Sequence, residues 1–145
     1  KASEASPGVV LKILLAILVA AALPFAAIGI RRRRRKSWYG MVEQAGTREE
    51  IFLRYRNLRK VLSAAGCSGR LRIDGNGFWD AFNRICTQIT REEYETLCRI
   101  LEKNSFSDRE PAGEELAEMR RLYERIVREA YGKVPVYRKL FVVAV

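Results

Sequence analysis

Residues 9 to 30, VVLKILLAILVAAALPFAAIGI, form a nearly unbroken apolar run, and RRRRRK follows at once at positions 31 to 36. At about 1.5 Å of rise per residue, a helix of this length reaches roughly 33 Å, against about 30 Å for the hydrocarbon core of a bilayer. The run therefore predicts a single transmembrane helix in a cell membrane. Cytoplasmic flanks carry the excess of Lys and Arg, so residues 1–8 are expected as an extracytoplasmic stub and residues 31–145 on the cytoplasmic side. A signal peptide has the opposite order, with its cations before the apolar region and a small-residue cleavage site after it. Lys12 lies about one turn inside the outer edge, where its long stem carries the ammonium back to the headgroups. Pro24 predicts a kink, which neighbouring groups can re-satisfy and which alone makes no transport site.

The formal charge of +10 is concentrated at this boundary. Residues 37–145 carry 19 Lys and Arg against 16 Asp and Glu, and both signs are mixed along each helix, which argues against a nucleic-acid footprint. The cations Arg31, Arg32, Arg33, Arg34, Arg35 and Lys36 suit anionic lipid as well as topology, and Trp38 and Tyr39 suit the headgroup zone. These eight residues are the expected membrane interface. The chain opens Lys-Ala-Ser-Glu-Ala-Ser-Pro-Gly without an initiator Met, and a stub this short is expected to be the remnant of a longer extracytoplasmic portion.

Beyond a basic juxtamembrane linker at 31–46, the pattern is helical. Thr47-Arg48-Glu49-Glu50 has the form of a capping box, and Ile51, Tyr55, Leu58, Leu62 and Ala65 recur at helical spacing until Gly66. Phe78 to Cys86 predicts a short helix. Thr90-Arg91-Glu92-Glu93 repeats the capping box before Tyr94, Leu97, Cys98 and Leu101, and a long helix is predicted over 114–131. The fold class is thus all-α: a transmembrane helix followed by a bundle of about four helices over 47–131. Its expected core includes Tyr55, Leu58, Leu62, Phe82, Leu97, Leu101, Leu122 and Ile126. The apolar tail 132–145 suits either the bundle or the membrane surface.

Few residues offer chemistry. The chain has no His, and Cys67, Cys86 and Cys98 form no C-x-x-C pair, which removes Cys-His and Ser-His nucleophiles and the common zinc patterns. The three thiols read as small buried hydrophobes. Asp74-Gly75-Asn76-Gly77 begins like a calcium loop, but Phe78 stands fifth and Ile85 twelfth, where a bidentate Glu belongs. Glu92, Glu93, Glu114, Glu115 and Glu118 lie in first helical turns, where they favour the helix dipole. Phe78, Trp79, Phe82, Tyr94 and Tyr123 fall on apolar stripes and read as core. No catalytic, metal or cofactor-binding residue is assigned.

The final span, the Arg run and the segment Leu53-Arg54-Tyr55-Arg56-Asn57-Leu58-Arg59-Lys60-Val61-Leu62 are followed by Tyr94-x-x-Leu97-x-x-Ile100-Leu101-Glu102-Lys103-Asn104-Ser105-Phe106-Ser107 and a helix with Leu122-Tyr123. Over residues 9 to 131 this arrangement resembles the C-terminal region of bacterial membrane-bound transglutaminase-like proteins, whose cytoplasmic domain has no assigned function. The segment 67–77 departs from the pattern, which elsewhere has a Pro- and Thr-containing start to the helix. The resemblance implies several spans upstream and an extracytoplasmic transglutaminase or protease-like core with a Cys-His-Asp triad. None of that triad maps onto this chain. It further implies an intracellular interaction or assembly module, with an unidentified cytoplasmic protein as partner. The competing expectation is a single-span signalling or cell-envelope scaffold with a helical binding domain.

Overall fold

The first 38 residues of regular structure are one helix, α1 (Pro7–Gln44), in a computed structural model that describes residues 7–73 and 76–144, the side chain of Asn76 excepted. The stub expected at 1–8 lies mostly outside the described residues, as does Asp74-Gly75 of the calcium-like sequence. The helix runs through Pro24 and does not stop at the basic run. Arg and Lys are good helix formers, and no Pro or turn dipeptide follows Ile30 until Ala45-Gly46, so nothing interrupts the backbone ladder. The segment read from sequence as a linker is therefore the second part of a continuous rod. Its apolar positions Trp38 and Val42, four apart, are buried in the bundle.

The 22 residues of the apolar run lie on the exposed N-terminal part of α1. Among them Leu11, Leu18, Leu23 and Phe25 are exposed by more than 60%, and none of the most apolar 18-residue stretch is buried inside the protein. This is the one helix among the described residues long and apolar enough to cross a membrane.

After the Ala45-Gly46 turn the chain doubles back as α2 (Thr47–Ala64). The capping box expected at Thr47 does not form. Gly46 occupies the cap position with no side-chain bond, and the Glu50 carboxylate is engaged by Arg54 and Arg120 instead. Charge-assisted bonds to two guanidinium groups outweigh one neutral cap bond. The other end follows the sequence: Gly66, at φ +102°, donates to Ser63 and Cys67 donates to Leu62, a Schellman motif that needs the left-handed conformation a glycine adopts readily.

Helix α3 (Asn76–Ile85) leads to α4 (Arg91–Phe106), where the Thr90 hydroxyl accepts from the Glu93 amide and the Glu93 carboxylate accepts from the Thr90 amide, completing the second capping box as expected. The closing helix α5 (Gly113–Lys133) packs chiefly on α2 and is followed by a 3-10 turn, Val136–Leu140. The molecule is all-α, an N-terminal apolar helix followed by a helical bundle, with no strand among the described residues. Leu58, Leu62, Phe82, Leu97, Leu101, Leu122 and Ile126 are buried together, whereas Tyr55 is half-buried and lines a surface groove. Val134 and Val142 of the tail also belong to the core, so the tail docks on the bundle.

Candidate functional site

The residues with most to do converge where α1 leaves its apolar stretch and meets α2, α5 and the tail. Trp38 lies parallel to Tyr123, ring centroids 5.8 Å apart at 17°, and meets Tyr39 edge-on at 5.1 Å. The Arg54 guanidinium stands 5.7 Å from the Trp38 ring and 5.1 Å from that of Tyr123. Arg54 donates from Nε to Glu50 at 2.7 Å, and Arg120 reaches the same carboxylate with two bonds of 2.7 Å. Arg120, with Arg54 second, holds the Glu50 carboxyl below the usual range against the opposing effect of burial. The Asn57 amide donates to the Tyr123 hydroxyl at 2.6 Å and to the Val143 carbonyl at 3.1 Å, tying α5 and the tail to α2. Burial pushes the Tyr123 phenol up to about 12, so it remains a neutral hydrogen-bonding group.

The expected interface residues divide into two sets. Arg32, Arg33, Arg34, Arg35 and Lys36 are exposed, Arg31 is half-buried against the tail, and Tyr39 is partly buried on the core. Trp38, at 6% exposure, is a core residue, a correction to its expected place at the headgroups. The indole is held by its stack on Tyr123 and by the Arg54 guanidinium beside the pair, and only its edge reaches the surface. The spacing of Trp38 and Val42 was the available signal, since the apolar i, i+4 pair continues the helix past the Arg run.

The fold also gathers residues that sequence reasoning left apart. An open concavity of about 380 Å³ is lined by Arg33 and Arg34 of α1, Arg56 and Lys60 of α2, and Phe141 of the tail. It adjoins a larger groove of about 900 Å³ along the outer face of α2, between Phe52, Tyr55, Arg59 and Arg138. No positional pattern in the sequence links Arg33 to Lys60.

Elsewhere the polar groups are structural. Glu93 is held by Arg121 and Arg125 and Glu115 by Lys103, pairs that tie α4 to α5. Glu129 accepts from the Thr87 and Gln88 amides. Phe82 and Tyr94 pack at 5.1 Å, with Trp79 against Tyr94 and the Arg91 guanidinium over Trp79. The three thiols are free and buried. Burial pushes Cys86 up to about 12 and Cys98 up to about 11, and raises Cys67 as well, which keeps them as poorly nucleophilic thiols. Among the described residues no three His, Cys, Asp or Glu side chains are grouped to hold a metal ion.

The fold defines an all-α chain with one apolar helix of membrane-crossing length and a helical bundle joined to it without a break. Compared with protein-family models, with curated proteins and with solved structures, the chain matches none of the three.

Proposed function

We propose that this chain is a non-catalytic interaction domain held at the cytoplasmic face of a membrane by α1. The observation that carries the reading is the continuity of α1: the apolar stretch and the Trp38–Val42 stripe belong to one helix, so the bundle is joined to the anchor rigidly rather than by a flexible tether. The basic collar Arg31, Arg32, Arg33, Arg34, Arg35 and Lys36 supports a cytoplasmic bundle, because such cations mark the side not translocated. Buried thiols of raised pKa, in a chain without His, support a role in binding over one in turnover.

As to the parent protein, we infer an accessory domain of a membrane-bound transglutaminase-like protein, with its activity in residues upstream. The reading rests on the sequence resemblance of the segments 53–62 and 94–107, which fall largely on α2 and α4. The continuity of α1 favours a second reading, a single-span signalling scaffold, since a rigid helix transmits rotation or displacement across a bilayer.

The test is topological. The native thiols are buried, so an exposed reporter is needed, and Lys133→Cys provides one on the surface of α5. In intact cells an impermeant maleimide is expected to leave this cysteine unmodified until lysis. Modification without lysis overturns the orientation. Sequencing the gene upstream of Lys1 separates the two parents: an encoded Cys-His-Asp core supports the transglutaminase-like reading, and a start codon shortly before Lys1 supports the scaffold.

A further inference from the structure

We propose that the concavity formed by Arg33, Arg34, Arg56, Lys60 and Phe141 binds the headgroup phosphate of an anionic phospholipid from the adjoining leaflet. The proposal rests on the membrane-anchored reading and adds to it a built site with a stated ligand. It differs from adsorption by the Arg run alone, because two of its cations come from α2, more than twenty residues along the chain.

Charge is the first argument. Four cations line the concavity and no carboxylate does. Among the described residues, none of the four is paired with a carboxylate within 4.0 Å, although Arg54, Arg91, Lys103, Arg120, Arg121 and Arg125 all are. What sets these four apart is that they line one concavity together, with no carboxylate among its lining residues, an arrangement that a diester phosphate relieves. Guanidinium groups match phosphate oxygens in bidentate geometry, and a Lys supplies a point charge.

Depth is the second. Arg33 and Arg34 follow Ile30 by three and four residues, about 4.5 to 6 Å along the helix axis. A headgroup layer is roughly 5 to 8 Å thick, so these side chains lie at phosphate level when the apolar stretch spans the core. Because α2 doubles back beside α1, Arg56 and Lys60, one turn apart, come to the same level. On the rim stands Phe141, exposed by 67%, with the Arg34 guanidinium 5.8 Å from its ring centroid. An exposed aromatic beside a cation suits the boundary between headgroup and acyl chain. An acidic peptide shares the charge argument but not the depth.

The test uses the full chain in phosphatidylcholine nanodiscs containing a minority of phosphatidylglycerol, with the lipid retained after mild extraction counted by native mass spectrometry. Retention of phosphatidylglycerol over phosphatidylcholine is expected, falling about tenfold in the double variant Arg56→Gln, Lys60→Gln. A control of equal charge change, Arg99→Gln with Arg128→Gln on exposed faces of α4 and α5, is expected to keep it. Equal loss in both doubles, or no loss in either, overturns the site. So does displacement of the lipid by millimolar glycerol phosphate or by a soluble acidic peptide. Alkaline extraction of the nanodisc-free membranes is read separately. A chain washed off the membrane defeats the anchored reading and the lipid site with it, whereas a chain that stays without selecting lipid defeats the site alone.

Discussion

Leu122 and Glu50 stand for two ways in which single residues hold this bundle. Leu122 is fully buried between α5 and its neighbours, and truncating a buried Leu removes its transfer free energy and leaves a cavity. Leu122→Ala is expected to cost about 2 to 5 kcal/mol, a large part of the roughly 5 to 15 kcal/mol of a small domain, as read by urea unfolding of the bundle. Glu50 contributes through charge. Its carboxyl is held below the usual value when folded, so its stabilisation is present above the unfolded pKa and is lost as the pH falls through the folded one. Glu50→Gln is therefore expected to cost about 3 kcal/mol near neutral pH, because it leaves the buried Arg54 without its anion, and progressively less at acid pH as the Glu50 carboxylate itself becomes protonated. Equal losses at neutral and acid pH would show that the effect is packing. The thiols give a third residue-scale outcome: with Cys86 pushed up to about 12 and Cys98 to about 11 by burial, both should resist alkylation at pH 8 until denaturant is added.

At the scale of elements, α1 matters most. Its last 14 residues extend about 21 Å past the apolar stretch and contribute Trp38 and Val42 to the core. A fragment cut at the boundaries read from sequence, 47–131, omits these two and also Val134 and Val142. Circular dichroism and urea unfolding should show that residues 36–145 fold cooperatively and that 47–131 is markedly less stable. Trp38→Ala in the longer fragment should cost about 3 to 5 kcal/mol, the range for a large aromatic truncated in a core. A loss of a few tenths of a kcal/mol would place Trp38 at the surface, as its sequence context had suggested. The two capping sequences make the same point: both have the hydroxyl and the carboxylate three residues on, yet only Thr90 caps, because Glu50 is taken by guanidinium groups from its own helix and from α5.

For the whole molecule, the unbroken α1 predicts a rigid body. Spin labels placed in the apolar stretch and on the exposed face of α5 should give one narrow distance distribution in a bilayer mimic. Two glycines inserted after Lys36 should broaden it while leaving the bundle folded, since Gly loses most conformational freedom in a helix and interrupts the rod.

The sequence by itself determined what is local or periodic. The membrane-length apolar run, the helical class, the Schellman stop at Gly66, the Thr90 box and most of the core are properties of spacing along one strand of chain, and seven of the eight expected core residues are buried. Tertiary structure alone decided what depends on pairs far apart in sequence. Glu50 meets Arg120 across 70 residues and Asn57 meets Tyr123 across 66, bonds that no periodicity encodes. The same holds for Trp38, moved from an expected headgroup position into the core, and for Arg56 and Lys60, brought beside Arg33 and Arg34. The physical reason is that a helical pattern states which face is apolar but not what covers it. The Ala45-Gly46 reversal and the packing of α5 on α2 supply that cover, and they set the basic concavity beside the helix that carries the apolar run.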